Sequence, residues 1–120
     1  MRIAVTALGP GIEADVDPRF GRARYFVMVD TQGGSVTSVD NTVNLDAAQG
    51  AGIQAGRKIV ELGAEVVLTG HVGPKAFDTL QAGDVRIFTG AAGKVVEAIN
   101  AFQAGQLSAA EASDVQGHWS

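Results

Sequence analysis

An α/β domain built on one mixed sheet is what this sequence predicts, and three observations lead there. Short, largely apolar runs recur at 2–7, 25–30, 66–69 and 85–88, with the length and continuity of buried strands. Segments with helical spacing occupy 51–62, 75–81 and 95–102, and they alternate with strands only in the second half of the chain. The first half is punctuated by turns instead, so the chain opens as an antiparallel meander and continues with strand–helix crossovers.

Residues 2–7 form the first strand, which Leu8-Gly9-Pro10-Gly11 breaks. A loop runs on through Asp17-Pro18. The second strand, 25–30, is apolar enough to be covered on both faces, and Gln32-Gly33-Gly34 turns the chain into a third. That third strand, 35–41, sets Val36 and Val39 among hydroxyl residues, as a half-exposed or edge strand would. After a loop at 41–49, helix 51–62 gathers Gln54, Arg57, Lys58, Glu61 and the following Glu65 on one face. Ile53, Gly56, Ile59 and Val60 are left for the other, and Gly63 ends the helix. Strand 66–69 leads into the loop Gly70-His71-Val72-Gly73-Pro74, whose proline suits the start of helix 75–81. Gly83 stops that helix, 85–88 is a fifth strand, 90–93 a loop and 95–102 the last helix.

The order βββαβαβα with right-handed crossovers predicts a five-stranded mixed sheet of order 3-2-1-4-5, flanked by helices. Ligands in such sheets bind beyond the carboxyl ends of the parallel strands, where strand order reverses. The loops beginning at Leu8, Gly70 and Thr89 make that rim. The segment before the second strand emerges at the same end, and it is basic: Arg19, Arg22 and Arg24 with no acid among them.

A chain of 120 residues suits one domain, read as 1–105, with 106–120 a polar tail that is mobile or loosely docked. The net charge of −4 argues against nonspecific nucleic-acid binding, which needs a basic footprint. Met1 leads straight into Ile3-Ala4-Val5 with no basic leader, and no apolar stretch is long enough to cross a bilayer. A cytoplasmic protein without a membrane role is expected.

Cysteine is absent, and His71 and His118 are the only histidines. Thiolates are the usual protein ligands of iron–sulfur clusters, copper(I) and structural zinc, and two histidines cannot close a tetrahedral site. A metal cofactor held here must therefore arrive as a preassembled anion, gripped by charge, backbone N–H groups and apolar contact. Enzyme chemistry finds little support. The first and fourth strands offer Ala4, Thr6, Val67 and Thr69 where a two-metal nuclease would need carboxylates. No Ser-His-Asp or Cys-His set is apparent. Asp15, Asp17 and Asp30 could hold a cation, but Asp17-Pro18 reads more simply as a turn and Asp30 as a strand end.

Two glycine motifs suit an anion. Gly50-Ala51-Gly52-Ile53-Gln54-Ala55 matches a dinucleotide fingerprint on paper, yet that motif needs a strand running directly into it and an acid about 20 residues later. Here the acids Glu61 and Glu65 come too early, so a helix start with free N–H groups is the better reading; close helix–sheet packing would also explain the glycines. In Gly70-His71-Val72-Gly73-Pro74-Lys75, imidazole and ammonium sit beside backbone donors at a parallel strand's end. His71 there could face an anion, ligate a metal weakly, or only hydrogen-bond within the loop. His118, in a terminal His-Trp, reads as a bystander unless the tail folds over a ligand.

Three segments resemble the dinitrogenase iron–molybdenum cofactor biosynthesis family: Asp17-Pro18-Arg19-Phe20-Gly21-Arg22-Ala23 with Tyr25-Phe26, then Gly50-Ala51-Gly52, then Gly70-His71-Val72-Gly73-Pro74-Lys75-Ala76. The similarity runs from Met1 to about Leu107. It implies a ribonuclease H-like fold and a noncatalytic binding or carrier protein for a metal–sulfide cluster, here of the molybdenum–copper kind, held non-covalently. Carried over, the cluster-binding surface comprises Arg19, Phe20, Arg22 and Arg24, then Ala51, Gly52 and Ile53, then Gly70, His71, Val72, Gly73 and Lys75. Phe20, Ile53 and Val72 would supply its apolar wall. Family members that use cysteine or further histidines for metal differ from this chain. The alternative is a small-anion or nucleotide-binding regulatory module that acts through a partner protein.

Overall fold

In the computed structural model, which describes residues 1–42 and 50–111, six strands and three helices form a three-layer sandwich. In chain order they are β1 (Arg2–Ala7), β2 (Tyr25–Asp30), β3 (Val36–Asp40), α1 (Ala51–Glu61), β4 (Val66–Leu68), α2 (Pro74–Ala82), β5 (Arg86–Thr89), α3 (Val95–Gln103) and β6 (Ser108–Ala109). The sheet order is β3-β2-β1-β4-β5-β6. β1 runs antiparallel to β2 and parallel to β4, with Val5 opposite Val27 on one side and Leu68 on the other.

The expected order 3-2-1-4-5 is present, with one addition. β6 pairs antiparallel to β5, and the Ala110 N–H donates to the Ile87 carbonyl at 2.8 Å. The sheet is therefore six-stranded, and the segment read as a tail begins with an edge strand. Two residues are too few for any periodicity, so only their pairing with β5 identifies the strand. Residues 112–120, including His118 and the rest of the expected tail, lie outside the described residues, as do 43–49 of the expected loop.

Alternation along the strands sorts the core into two faces. Ala4, Phe26, Met28, Val67 and Ile87 join Ala55, Ile59, Ala76 and Leu80 in the layer under α1 and α2. Ile3, Val5, Val27, Leu68 and Phe88 join Val95, Ala98 and Ile99 under α3. Two successive crossovers that step the same way across the sheet must put α1 and α2 on one face. The other face is completed by a strap, residues 8–16, which folds back along β1 through an Ala7–Val16 bridge.

One packing detail differs from expectation. The buried stripe of α1 is Ala51, Gly52, Ala55, Gly56 and Ile59, whereas Val60 is 37% exposed. Small residues take the inner positions because α2 lies close: a Cβ on Gly56 would sit 2.9 Å from the Thr79 methyl carbon. Helix spacing alone allows Val60 a place in the core, but the approach of α2 rotates the buried stripe toward Gly52 and Gly56.

Candidate functional site at the carboxyl rim of the sheet

Backbone hydrogen bonds stitch the loops beyond β1, β4 and β5 into one surface. The His71 N–H donates to the Pro18 carbonyl at 2.7 Å, and the Phe20 N–H donates to the His71 carbonyl at 3.2 Å. These bonds form a parallel bridge between Arg19 and His71. The Gly90 N–H donates to Gly70 at 3.1 Å, and the Val16 N–H donates to Gly93 at 2.8 Å. Topology thus brings the basic segment, the histidine loop and the third rim loop into direct contact.

Gly70 makes a close main-chain junction. A Cβ there would lie 2.8 Å from both the Pro18 Cα and its carbonyl oxygen, so only hydrogen lets the two chains approach. Beneath the junction, the Thr6 hydroxyl has one proton to give. It donates to the Asp17 carbonyl at 2.7 Å and lies 2.9 Å from the Thr69 hydroxyl, from which it can accept. Both threonines and Asp17 are buried. The Asp17 Oδ1 accepts the Arg19 N–H at 3.0 Å, while Oδ2 has no hydrogen-bond partner. Burial pushes the Asp17 carboxyl above its ordinary value; the Arg19 and Arg24 backbone donors and charges draw it partly back.

All three helices begin at this rim, but they are not equivalent. The start of α3 is closed: its Val95 and Val96 N–H groups donate to Ala14 and Ile12 of the strap, each at 2.9 Å, and Glu97 Oε1 accepts the Lys94 N–H at 2.8 Å. The starts of α1 and α2 have no side-chain cap and no acid in the first turn. Gly50, at φ 77°, sets the entry to α1, and Gly73 and Pro74 set that of α2. Among the described residues neither start has a side-chain cap, and a positive dipole end favours a negative group.

The positions of the expected site residues divide into three groups. Arg19, Arg24, His71 and Lys75 are exposed, and Arg22 and Ile53 are half-buried. Ala51, Gly52, Gly70 and Gly73 are buried, and there only the main chain can serve a ligand. Phe20 and Val72 are 0% exposed and belong to the core under α1 and α2, where Phe20 stacks on Phe26 with ring centroids 5.9 Å apart. That corrects the expected apolar wall: of its three members, Ile53 alone is at the surface. A phenylalanine between two arginines reads from sequence as a contact residue; it is buried by packing under α1 and α2, in a turn where the Ala23 N–H donates back to the Phe20 carbonyl at 3.3 Å.

Sequence reasoning missed the Thr6–Thr69–Asp17 cluster. The only signal is the pair of hydroxyls near the ends of two central strands, which read first as positions lacking carboxylates. The three acids that could hold a cation do not act together: Asp17 is buried, the Asp15 main chain bridges to Lys94, and Asp30 Oδ1 accepts the Gln32 N–H at 2.9 Å. Among the described residues no group of three His, Asp or Glu side chains could hold a metal ion, and no helix is long and apolar enough to cross a membrane. A surface hollow of about 280 Å³ between Phe77, Asp84, Arg86 and Ala110 lies at the opposite end of the parallel strands.

Comparison with known proteins fits this architecture. The family described as dinitrogenase iron-molybdenum cofactor matches residues 1–105. The apo form of the orange protein from Desulfovibrio gigas is 44% identical, with 95% of this chain and 96% of that one covered and a TM-score of 0.92. A NifB-like protein from Thermotoga is 37% identical over 90% of this chain and 91% of its own, at a TM-score of 0.80. A dinitrogenase-like protein from Methanocaldococcus jannaschii shares the fold alone, at 16% identity, a TM-score of 0.62 and coverage of 93% and 96%. No curated protein matches the chain.

Proposed function

The chain belongs to the dinitrogenase iron-molybdenum cofactor family, and from that premise we propose that it is a noncatalytic carrier of a preassembled anionic metal–sulfide cluster of the molybdenum–copper type. The cluster is cargo, held without coordinate bonds. The observation that supports this reading is the Arg19–His71 bridge, which ties the arginine segment to the loop leading into the start of α2. Arg19, Arg22, Arg24 and Lys75 neutralise the cargo, and the N–H groups at the starts of α1 and α2 hydrogen-bond its sulfides. Ile53 and the glycine main chain of 70–73 limit access of water. A multiply charged anion tolerates partial burial only when several donors meet it together.

The test is reconstitution with tetrathiomolybdate and copper, followed by gel filtration and visible absorption. Arg22→Ala with Arg24→Ala is expected to weaken retention by roughly tenfold or more, since a hydrogen bond to a charged group contributes about 1.5–3 kcal/mol. Retention should also become more sensitive to salt. Unchanged absorption after the column would refute the proposal. ATP and NAD serve as competitors: tight binding of either would favour a nucleotide-binding regulatory module instead.

A further inference from the structure

Asp17 is the one carboxylate buried among the described residues, and it sits under a surface that otherwise presents cations and N–H donors. From β1 the Thr6 hydroxyl reaches the Asp17 main-chain carbonyl, and the Thr69 hydroxyl, on the residue after β4, is engaged with Thr6; both are uncharged. From its own segment the charged groups acting on it are Arg19 and Arg24. His71, bridged to Arg19, is the titratable group across the junction. The side-chain ion pair is long, with Arg19 Nε 3.9 Å from Oδ1, and the Arg19 side chain is 51% exposed. The guanidinium therefore remains free to swing toward solvent. Oδ2, with no partner, is the atom where a proton would reside.

Resting on the carrier reading above, we infer that Asp17 takes up one proton when an anion binds at the rim, so that Arg19 passes from the carboxylate to the ligand. The reason is electrostatic. An anion placed over the junction repels a carboxylate held at low dielectric, and it draws away the cation that compensates it. The ionised form then has two penalties and one fewer partner. A proton from the buffer binds Oδ2, giving a neutral carboxylic acid and removing the one negative charge held under the rim. Oδ1 keeps the Arg19 N–H, so the bridge to His71 is preserved. Asp17 is thus a positioning residue, and its charge sets how tightly the rim holds its cargo.

Calorimetric titration of the full chain with tetrathiomolybdate, at one pH in two buffers of different ionisation enthalpy, reads the proton directly. The expected result is buffer-dependent heat equivalent to uptake of about one proton per anion bound. Uptake is expected to persist in His71→Asn and to disappear in Asp17→Asn, whose affinity becomes nearly independent of pH while that of the natural chain rises as pH falls. Binding with buffer-independent heat in the natural chain overturns this inference and leaves the carrier reading intact. Loss of uptake in His71→Asn but not in Asp17→Asn also overturns it. No binding at all defeats the carrier reading, and the inference with it.

Discussion

At the scale of single residues, the rim depends on two positions whose chemistry is unforgiving. Gly70 admits the Pro18 main chain at a distance no side chain would allow. Gly70→Ala is expected to force the two loops apart at a cost of about 1–3 kcal/mol, the range for overpacked sites, measurable by urea denaturation. It should also lower cluster retention by breaking the Arg19–His71 bridge. Asp17 makes a prediction of the opposite sense. Its folded-state carboxyl is raised above 3.8, so its contribution to stability is complete below that value and falls as pH rises through the raised one. Asp17→Asn keeps an acceptor for the Arg19 N–H and cannot ionise. Its stability relative to the natural chain should improve between pH 4 and pH 7, followed by thermal melts. A difference that does not vary with pH would show that the buried carboxyl stays neutral throughout.

Secondary-structure elements explain why the site has the shape it does. The α1–α2 contact is set by Gly56 against Thr79 and by Val60 against Gly83, where a Cβ would come within 2.5 Å of Val60 Cγ2. Gly56→Ala gains about 1 kcal/mol of helix propensity but meets the Thr79 methyl, an overpacking cost of about 1–3 kcal/mol. The single variant should be destabilised, and adding Thr79→Ser should recover part of the loss, because serine removes the methyl and keeps the hydroxyl that donates to Lys75 at 2.9 Å, while the Thr79 Cβ position, 3.0 Å away, stays filled. A double-mutant cycle in urea measures that coupling; strict additivity would contradict the close contact. The strap has a comparable effect on chemistry. By engaging the first N–H groups of α3, it closes one of the three helix starts, so the proposed anion contacts fall to α1 and α2.

Over the whole molecule, the net charge of −4 coexists with a basic rim because acids and bases are segregated along the chain. Glu13 pairs with Lys94 on the strap side, 3.1 Å from the ammonium, and the nearby Asp15 charge acts on the same lysine. That leaves Arg19 and Arg24 exposed beside the histidine loop. At the far edge, β6 covers β5 and ends the sheet. Ala110→Pro removes the donor to Ile87 and is expected to cost about 1 kcal/mol of stability while leaving cluster retention unchanged. A comparable fall in retention would mean that the β6 edge and the rim are energetically coupled.

Sequence alone was sufficient for the strand and helix succession, because continuous apolar runs and helical periodicity report burial locally. It was sufficient, too, for the order of the first five strands and for the end of the sheet where the basic segment must emerge, since crossover handedness leaves few topologies. Tertiary structure decided what local pattern cannot encode. Phe20 and Val72 went to the core, Val60 went to the surface, β6 joined the sheet, and Asp17 was enclosed with an oxygen unpaired. Each of these turns on a neighbour distant in the chain: α1 and α2 over Phe20, Gly83 beside Val60, β5 beside β6, and Thr6 with Thr69 beneath Asp17. Periodicity tells a residue which way it faces along its own element; only packing against a second element fixes what it meets there.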